Sequence, residues 1–297
     1  MAYSGIGGQA IMEGVEMING TRGALAVRLS DGSIHTEDID ISPEPDWVKK
    51  TPVIRGIYSF FNSLITGMGS LFRSASFFDE EDKKKSQAGQ KAEIGITLIF
   101  SFAVAIAVFL YLPMFLSGLA RSYISRKWVI ILLEGIIRIV IFLLYIWLIG
   151  KTSDIKRTFM YHGAEHKCIN CIEHDLSLNV ENVRKSSRFH KRCGTSFIFI
   201  VFLISVVLFM FIRTDNTFLK LLFRLLLMPL IAGISYEFLR AAGRSEGRLV
   251  DALAAPGLWI QRLTTREPDD SMIEVGIASV RAVFDPEKFI RDHELQQ

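Results

Sequence analysis

From Ile94 to about Gly118 the chain reads IGITLIFSFAVAIAVFLYLPMFLSG, 25 residues without a charged side chain. A helix of that length spans the roughly 30 Å of bilayer hydrocarbon, and no soluble core requires such a stretch. Half of the 297 residues are hydrophobic and 22 are Phe, more than a domain of this size needs to fill a core. The excess lies between about 94 and 242, while both ends read as water-soluble sequence.

Three further apolar stretches follow. Trp128 to Gly150 carries Glu134 and Arg138, Phe197 to Ile212 is short, and Leu219 to Ala242 holds Lys220, Arg224 and Glu237. The expected fold class is mainly α: a polytopic helical membrane protein with four transmembrane helices, a small N-terminal β unit and cytoplasmic amphipathic helices. The expected division is an N-terminal region 1–93, a membrane core 94–242 and a helical tail 243–297.

Lysine and arginine sort the loops. Residues 151–196 hold nine, 240–297 eight and Arg73 to Lys91 five, against three in 119–127 and one in 213–216. The positive-inside rule then places both termini and the central segment in the cytoplasm. Lys83, Lys84 and Lys85 follow an acidic run and precede a span, so they read as topology signals, and no nucleic-acid partner is expected. Three cysteines, all in the central segment, argue against a disulfide framework. The opening MAYSGIGGQA lacks the basic and apolar regions of a signal peptide.

In the polar segments, Ala24 to Leu29 and Ser33 to Ile41 alternate around a Ser30-Asp31-Gly32 turn, which predicts a β unit. The preceding GGQAIMEGVEMING reads as a buried N-terminal strand whose glycines allow close backbone approach; it lacks the ending of a phosphate-binding loop. Residues 57–77 put a wide apolar face at helical spacing, which suits either an interfacial helix or a core helix of a small soluble domain. Two amphipathic segments close the chain, Leu249 to Leu263, interrupted by Pro256-Gly257, and Ser271 to Phe284, capped by Asp269-Asp270.

The chemically informative stretch is YHGAEHKCINCIEH, residues 161–174. His162 and His166 share one helix face and can bind one zinc or another divalent metal, while Glu165 can act as general base for a water on such a metal. This is the H-x-x-E-H order of one class of zinc hydrolases. A third ligand is needed, and Glu237, Glu173, His174 and His190 are candidates. A second pattern overlaps it: Cys168-x-x-Cys171 with His190-x-x-Cys193 fits a closed structural zinc site. A third reading has the histidines bonded to carboxylates with no metal. Within the spans, Glu134 and Arg138 are four apart and should pair, whereas Arg138 and Arg224 could instead snorkel.

The blocks GGQAIMEGVEM (7–17), PVIRG (52–56), YHGAEHK (161–167), ENVRKSSRFHKRCGTSF (181–197), SYE (235–237) and PGLWIQRLTTREPDD (256–270) carry a resemblance. By them the chain resembles the YqhQ-like family of bacterial membrane proteins, described generically as predicted metal-dependent enzymes. The resemblance covers nearly the whole chain. It implies a multi-pass protein of the bacterial cytoplasmic membrane and implicates Glu13, His162, Glu165, His166, His190, Cys193 and Glu237. The family usually has Thr at the position of Cys168 and Pro at that of Lys191, so the Cys168-Cys171 pair departs from the family pattern.

Two classes of function follow. One is a membrane-embedded metal-dependent hydrolase; the other is a non-catalytic accessory or scaffold factor for a membrane protein partner such as the translocation machinery. Both require contact with the lipid bilayer.

Overall fold

The computed structural model describes residues 3–78, 87–191, 193–244 and 248–295. Lys83 to Lys85 and the acidic run before them lie outside the described residues.

The chain opens as a four-stranded antiparallel meander of β1 (Gly7–Ile11), β2 (Gly14–Asn19), β3 (Arg22–Arg28) and β4 (Ile34–Asp40). Strands β3 and β4 are the expected β unit. Gly32 turns with φ +86° and Asp31 Oδ1 accepts hydrogen bonds from the N–H and hydroxyl of Ser33. The glycine-rich segment before it forms two strands joined at Met12-Glu13, with Ile11 opposite Gly14.

The sheet is covered on both faces. Val15, Met17, Ala24 and Ala26 face one core, while Leu25 and Val27 face another with Phe77 and Phe78. The first core is completed by α6 (Ser153–Glu173), α7 (Val180–Lys185) and α11 (Asp270–Val283). Stretches from the beginning, middle and end of the chain therefore meet in one polar-capped unit. Asp269 caps α11 by accepting from the Met272 N–H at 3.0 Å, and Gly276 brings that helix close enough to α6 for a β-carbon to lie 2.9 Å from Cys168 Sγ.

Among the described residues, three helical segments are long and apolar enough to cross a membrane: Ala92–Ser122, Lys127–Ile149 and Thr217–Ala241. The first joins α3 (Gln87–Ile106) to α4 (Leu112–Leu119) through a π-helical turn; the other two belong to α5 (Lys127–Ile149) and α9 (Thr217–Arg244). The expected span at Phe197 to Ile212 is α8 (Gly194–Phe209), whose 16 residues extend only about 24 Å. Of the four expected spans, three are thus long apolar helices and one is a short apolar helix, because α8 starts and stops within a turn or two of polar sequence. It packs beside α5, α9 and α10 (Arg248–Thr264). Helix α10 runs on through Pro256, where an interruption was expected, its packing on α8 and α5 holding the turn that proline weakens.

Inside this bundle Glu134 forms ion pairs with two arginines, Arg138 at 2.6 Å and Arg224 at 2.6 Å. Neither arginine snorkels; both are almost fully buried and lie over the Phe209 ring. Pro113 cannot donate the helical hydrogen bond to the Phe109 carbonyl. Arg138 Nε donates to that oxygen at 3.1 Å instead, and its Nη1 to Ser205 Oγ at 2.9 Å.

Helix α2 (Ile54–Ala75) leans on α9 where two glycines meet. A β-carbon on Gly56 would lie 2.6 Å from the Gly233 carbonyl oxygen. Its other side exposes Phe61, Leu64 and Ile65. Small residues at such crossings let helix backbones approach closely.

Candidate metal centre

His162 and His166 stand one turn apart on α6, and their ring centroids are 4.4 Å apart. The Nδ1 atoms of both face main-chain carbonyls, Thr264 O at 2.9 Å for His162 and Arg188 O at 2.7 Å for His166. A carbonyl only accepts, so each Nδ1 carries the proton and each Nε2 keeps its lone pair. Cys193 lies in front of them, its Sγ 3.3 Å from His162 Nε2 and within hydrogen-bonding reach of His166. One ligand atom from each of these three residues lies within 4.8 Å of the others.

Zinc bound at 2.0–2.1 Å by nitrogen and 2.3 Å by sulfur sets its ligand atoms roughly 3.3–3.6 Å apart. The His162–Cys193 separation already has that value, and no pair among the three ligand atoms is wider than 4.8 Å. The imidazole-to-carbonyl bonds are the outer shell that orients metal-bound histidines in known sites.

Several neighbours hold the carbonyls in place. Lys167 Nζ donates to the carbonyls of Arg184 and Ser186 at 2.9 Å each. Asn170 Nδ2 donates to Ser187 O and Phe189 O, so the loop carrying Arg188 is tied to α6. On the other side Gly163 lets α6 touch the 264–268 segment. A β-carbon there would overlap the main-chain oxygen of Arg266. Gly163→Ala is therefore expected to cost about 1–3 kcal/mol and to move the Thr264 carbonyl off His162. Lower thermal stability of the purified variant is the readout; an unchanged melting temperature contradicts this packing.

Glu165 sits one turn from His162, with Oε2 3.8 Å from its Nε2. It is 5% exposed, and burial pushes its carboxyl up to about 7, against the opposing influence of His162 and of a hydrogen bond from the Gly8 N–H. Strand β1 reaches it because Gly8 has no side chain. A β-carbon at Gly8 would overlap the Glu16 carbonyl and sit 3.3 Å from Glu165 Cγ. A carboxyl that titrates near neutrality can accept a proton and return it. Burial also lowers the pKa of His166, which keeps that ring neutral, the form that binds metal.

The other sequence candidates lie elsewhere. Glu237 is a partner of Arg55, accepting from Nε at 2.6 Å and from Nη2, and it also accepts from the Val53 N–H at the start of α2. His190 faces Glu173, Nε2 to Oε2 3.3 Å, and its ring is 5.9 Å from that of His166. Glu173 also accepts from Ser4, and His174 bonds back to Asn170 O. Glu13 is held by Arg157 through two 2.5 Å bonds and by the Tyr161 hydroxyl, which fastens the β1–β2 turn to α6. Cys168 and Cys171 are buried in the apolar core, so the four-ligand arrangement with His190 and Cys193 does not form. On a continuous helix those two thiols face the packing of α11 and the 176–177 carbonyls.

The family model described as "Protein of unknown function (DUF1385)" matches residues 51–286. The chain belongs to the DUF1385 family. It is 35% identical over 286 residues to "Uncharacterized protein YqhQ" of Bacillus subtilis (strain 168), covering 92% of this chain and 90% of the relative. No solved structure matches it. Within this DUF1385 chain, the family resemblance read from the sequence blocks is confirmed over most of its length.

Proposed function

We propose that this DUF1385 chain is a metalloprotein of the bacterial cytoplasmic membrane, with zinc held by His162, His166 and Cys193 and with Glu165 as its base. In this reading α8 completes a four-span bundle, thinning the bilayer locally as short spans do, and both termini and residues 151–196 face the cytoplasm.

The observation that carries the reading is the convergence of two Nδ1-tethered imidazoles on one sulfur. Three protein ligands leave a coordination position open, which is the arrangement of catalytic rather than structural zinc. Zinc would supply Lewis acidity there. Glu165 would take a proton from the nucleophile and pass it on, which makes hydrolysis the favoured reaction class. A 240 Å³ cleft is lined by Arg188, Arg262 and Arg266 and by Leu263 and Thr265, which flank the Thr264 carbonyl that tethers His162, and this basic lining favours an anionic substrate.

The test is the zinc content of the full chain, purified in detergent without chelators, against a His162→Ala/His166→Ala double variant. About one zinc per chain, falling to near zero in the variant, is expected. Equal metal content in both ends the proposal.

A further inference from the structure

A second cleft opens at the other end of the bundle, where α5 and α9 begin and α8 ends. Its volume is about 450 Å³. One wall is apolar, with Ile124, Ile130, Ile131, Phe209, Met210 and Ile212. The remaining lining includes five basic side chains, Arg121, Lys127, Arg213, Lys220 and Arg224, and two carboxylates, Glu134 and Asp215.

The two carboxylates are already engaged. Asp215 lies 3.6 Å from Lys127, and Glu134 is shared between Arg138 and Arg224. That leaves Arg121, Arg213 and Lys220 without an ion-pair partner among the described residues. Arg224 is 2% exposed, yet its Nε has no hydrogen-bond partner. Buried guanidinium N–H groups are rarely left this way, and two buried arginines against one carboxylate leave a positive charge uncompensated. Lys220 and Arg224 are one turn apart, and Arg224 lies about 10 Å along α9 from Thr217. Positive charge therefore descends from the rim into the bundle along an apolar wall.

We propose that this cleft binds the phosphate of an anionic lipid, with the acyl chains along Ile124, Ile131, Met210 and Ile212. Arginine forks match phosphate oxygens, and Arg224, whose buried Nε has no partner of its own, lines the cleft. The apolar wall is what favours a lipid over a free ion. The inference rests on the membrane embedding proposed above but not on the zinc.

The test uses the full chain in detergent, with and without chelator, and native mass spectrometry with phosphatidylglycerol, phosphatidylcholine of the same acyl chains, or inorganic phosphate. Phosphatidylglycerol should be retained at least about tenfold better than phosphatidylcholine, with or without metal. Arg121→Gln/Arg213→Gln, both on the exposed rim, should weaken that retention about 25-fold, on the order of fivefold for each basic side chain. Lys151→Gln/Lys156→Gln at the opposite end should leave it unchanged. Equal retention of the two lipids, or equal effects of the two double variants, overturns the proposal. Binding of inorganic phosphate alone, with the same dependence on Arg121 and Arg213, assigns the cleft to the free ion and overturns the lipid. Failure of membrane embedding would show separately, as extraction of the chain from membranes by alkaline carbonate.

Discussion

Cys193→Ser is expected to strip zinc from the chain, whereas Glu165→Gln is expected to leave it in place. The contrast follows from where each group stands. Sulfur 193 lies 3.3 Å from His162 Nε2 and completes the three-atom group, and it opens α8 as its cap, accepting from the Thr195 N–H and hydroxyl. Serine at that position is a poor zinc ligand at neutral pH because its hydroxyl keeps its proton. Structural zinc in small domains is bound with roughly 10–16 kcal/mol, so loss of one of three ligands removes a large share of affinity. Glu165 is instead the neighbour that exchanges protons, and glutamine preserves its shape while ending that exchange. Metal analysis after dialysis separates the two variants; equal zinc in both would remove Cys193 from the ligand set. Metal should also leave as pH falls, since protons compete for imidazole and thiolate. The lowered pKa of His166 extends its binding form to more acidic pH than an exposed histidine would have.

Glu134→Leu is expected to destabilise the bundle by about 3–5 kcal/mol, because it leaves Arg138 and Arg224 buried without their shared counter-charge. The cost arises from desolvated charge rather than lost packing. Combining Glu134→Leu with Arg138→Met and Arg224→Met should therefore recover most of the loss, since apolar side chains of similar volume replace the ionic group at little net cost. The Phe109 carbonyl, served by Arg138 because Pro113 cannot donate to it, would remain unsatisfied and account for the residual deficit. Thermal unfolding of the detergent-solubilised chain reads both effects. A triple variant less stable than Glu134→Leu alone contradicts this explanation.

Much of this was legible in the chain and some was not, for physical reasons that differ by residue. The uncharged run at 94–118 declares a long apolar helix on its own, since its length and composition leave no other solution. His162 and His166 were readable because i, i+4 spacing is local geometry. The family blocks pointed to Cys193 but not to its place beside this pair, because it reaches the pair only through the placing of α8, and its spacing to His190 suggested a different, closed site. The carbonyls of Thr264 and Arg188 carry no side-chain signature, and nothing local marks Lys167 and Asn170 as the residues that hold the loop beside them. Glu237 looked like a ligand because a charge deep in an apolar helix signals function. Its partner, Arg55, lies 182 positions away in sequence, and only the packing of α2 on α9 reveals the pair. The sheet was visible as alternation, while its cover by α6 and α11 depends on long-range contacts that no local pattern encodes.

The central claim is that two imidazole nitrogens and one thiolate sulfur hold a metal. X-ray absorption at the zinc edge of the purified full chain tests it most directly. The account predicts a first shell with two nitrogens at about 2.0–2.1 Å and a single sulfur near 2.3 Å, the sulfur shell vanishing in Cys193→Ser. A shell of nitrogen and oxygen alone, or one with three or more sulfurs, would contradict it.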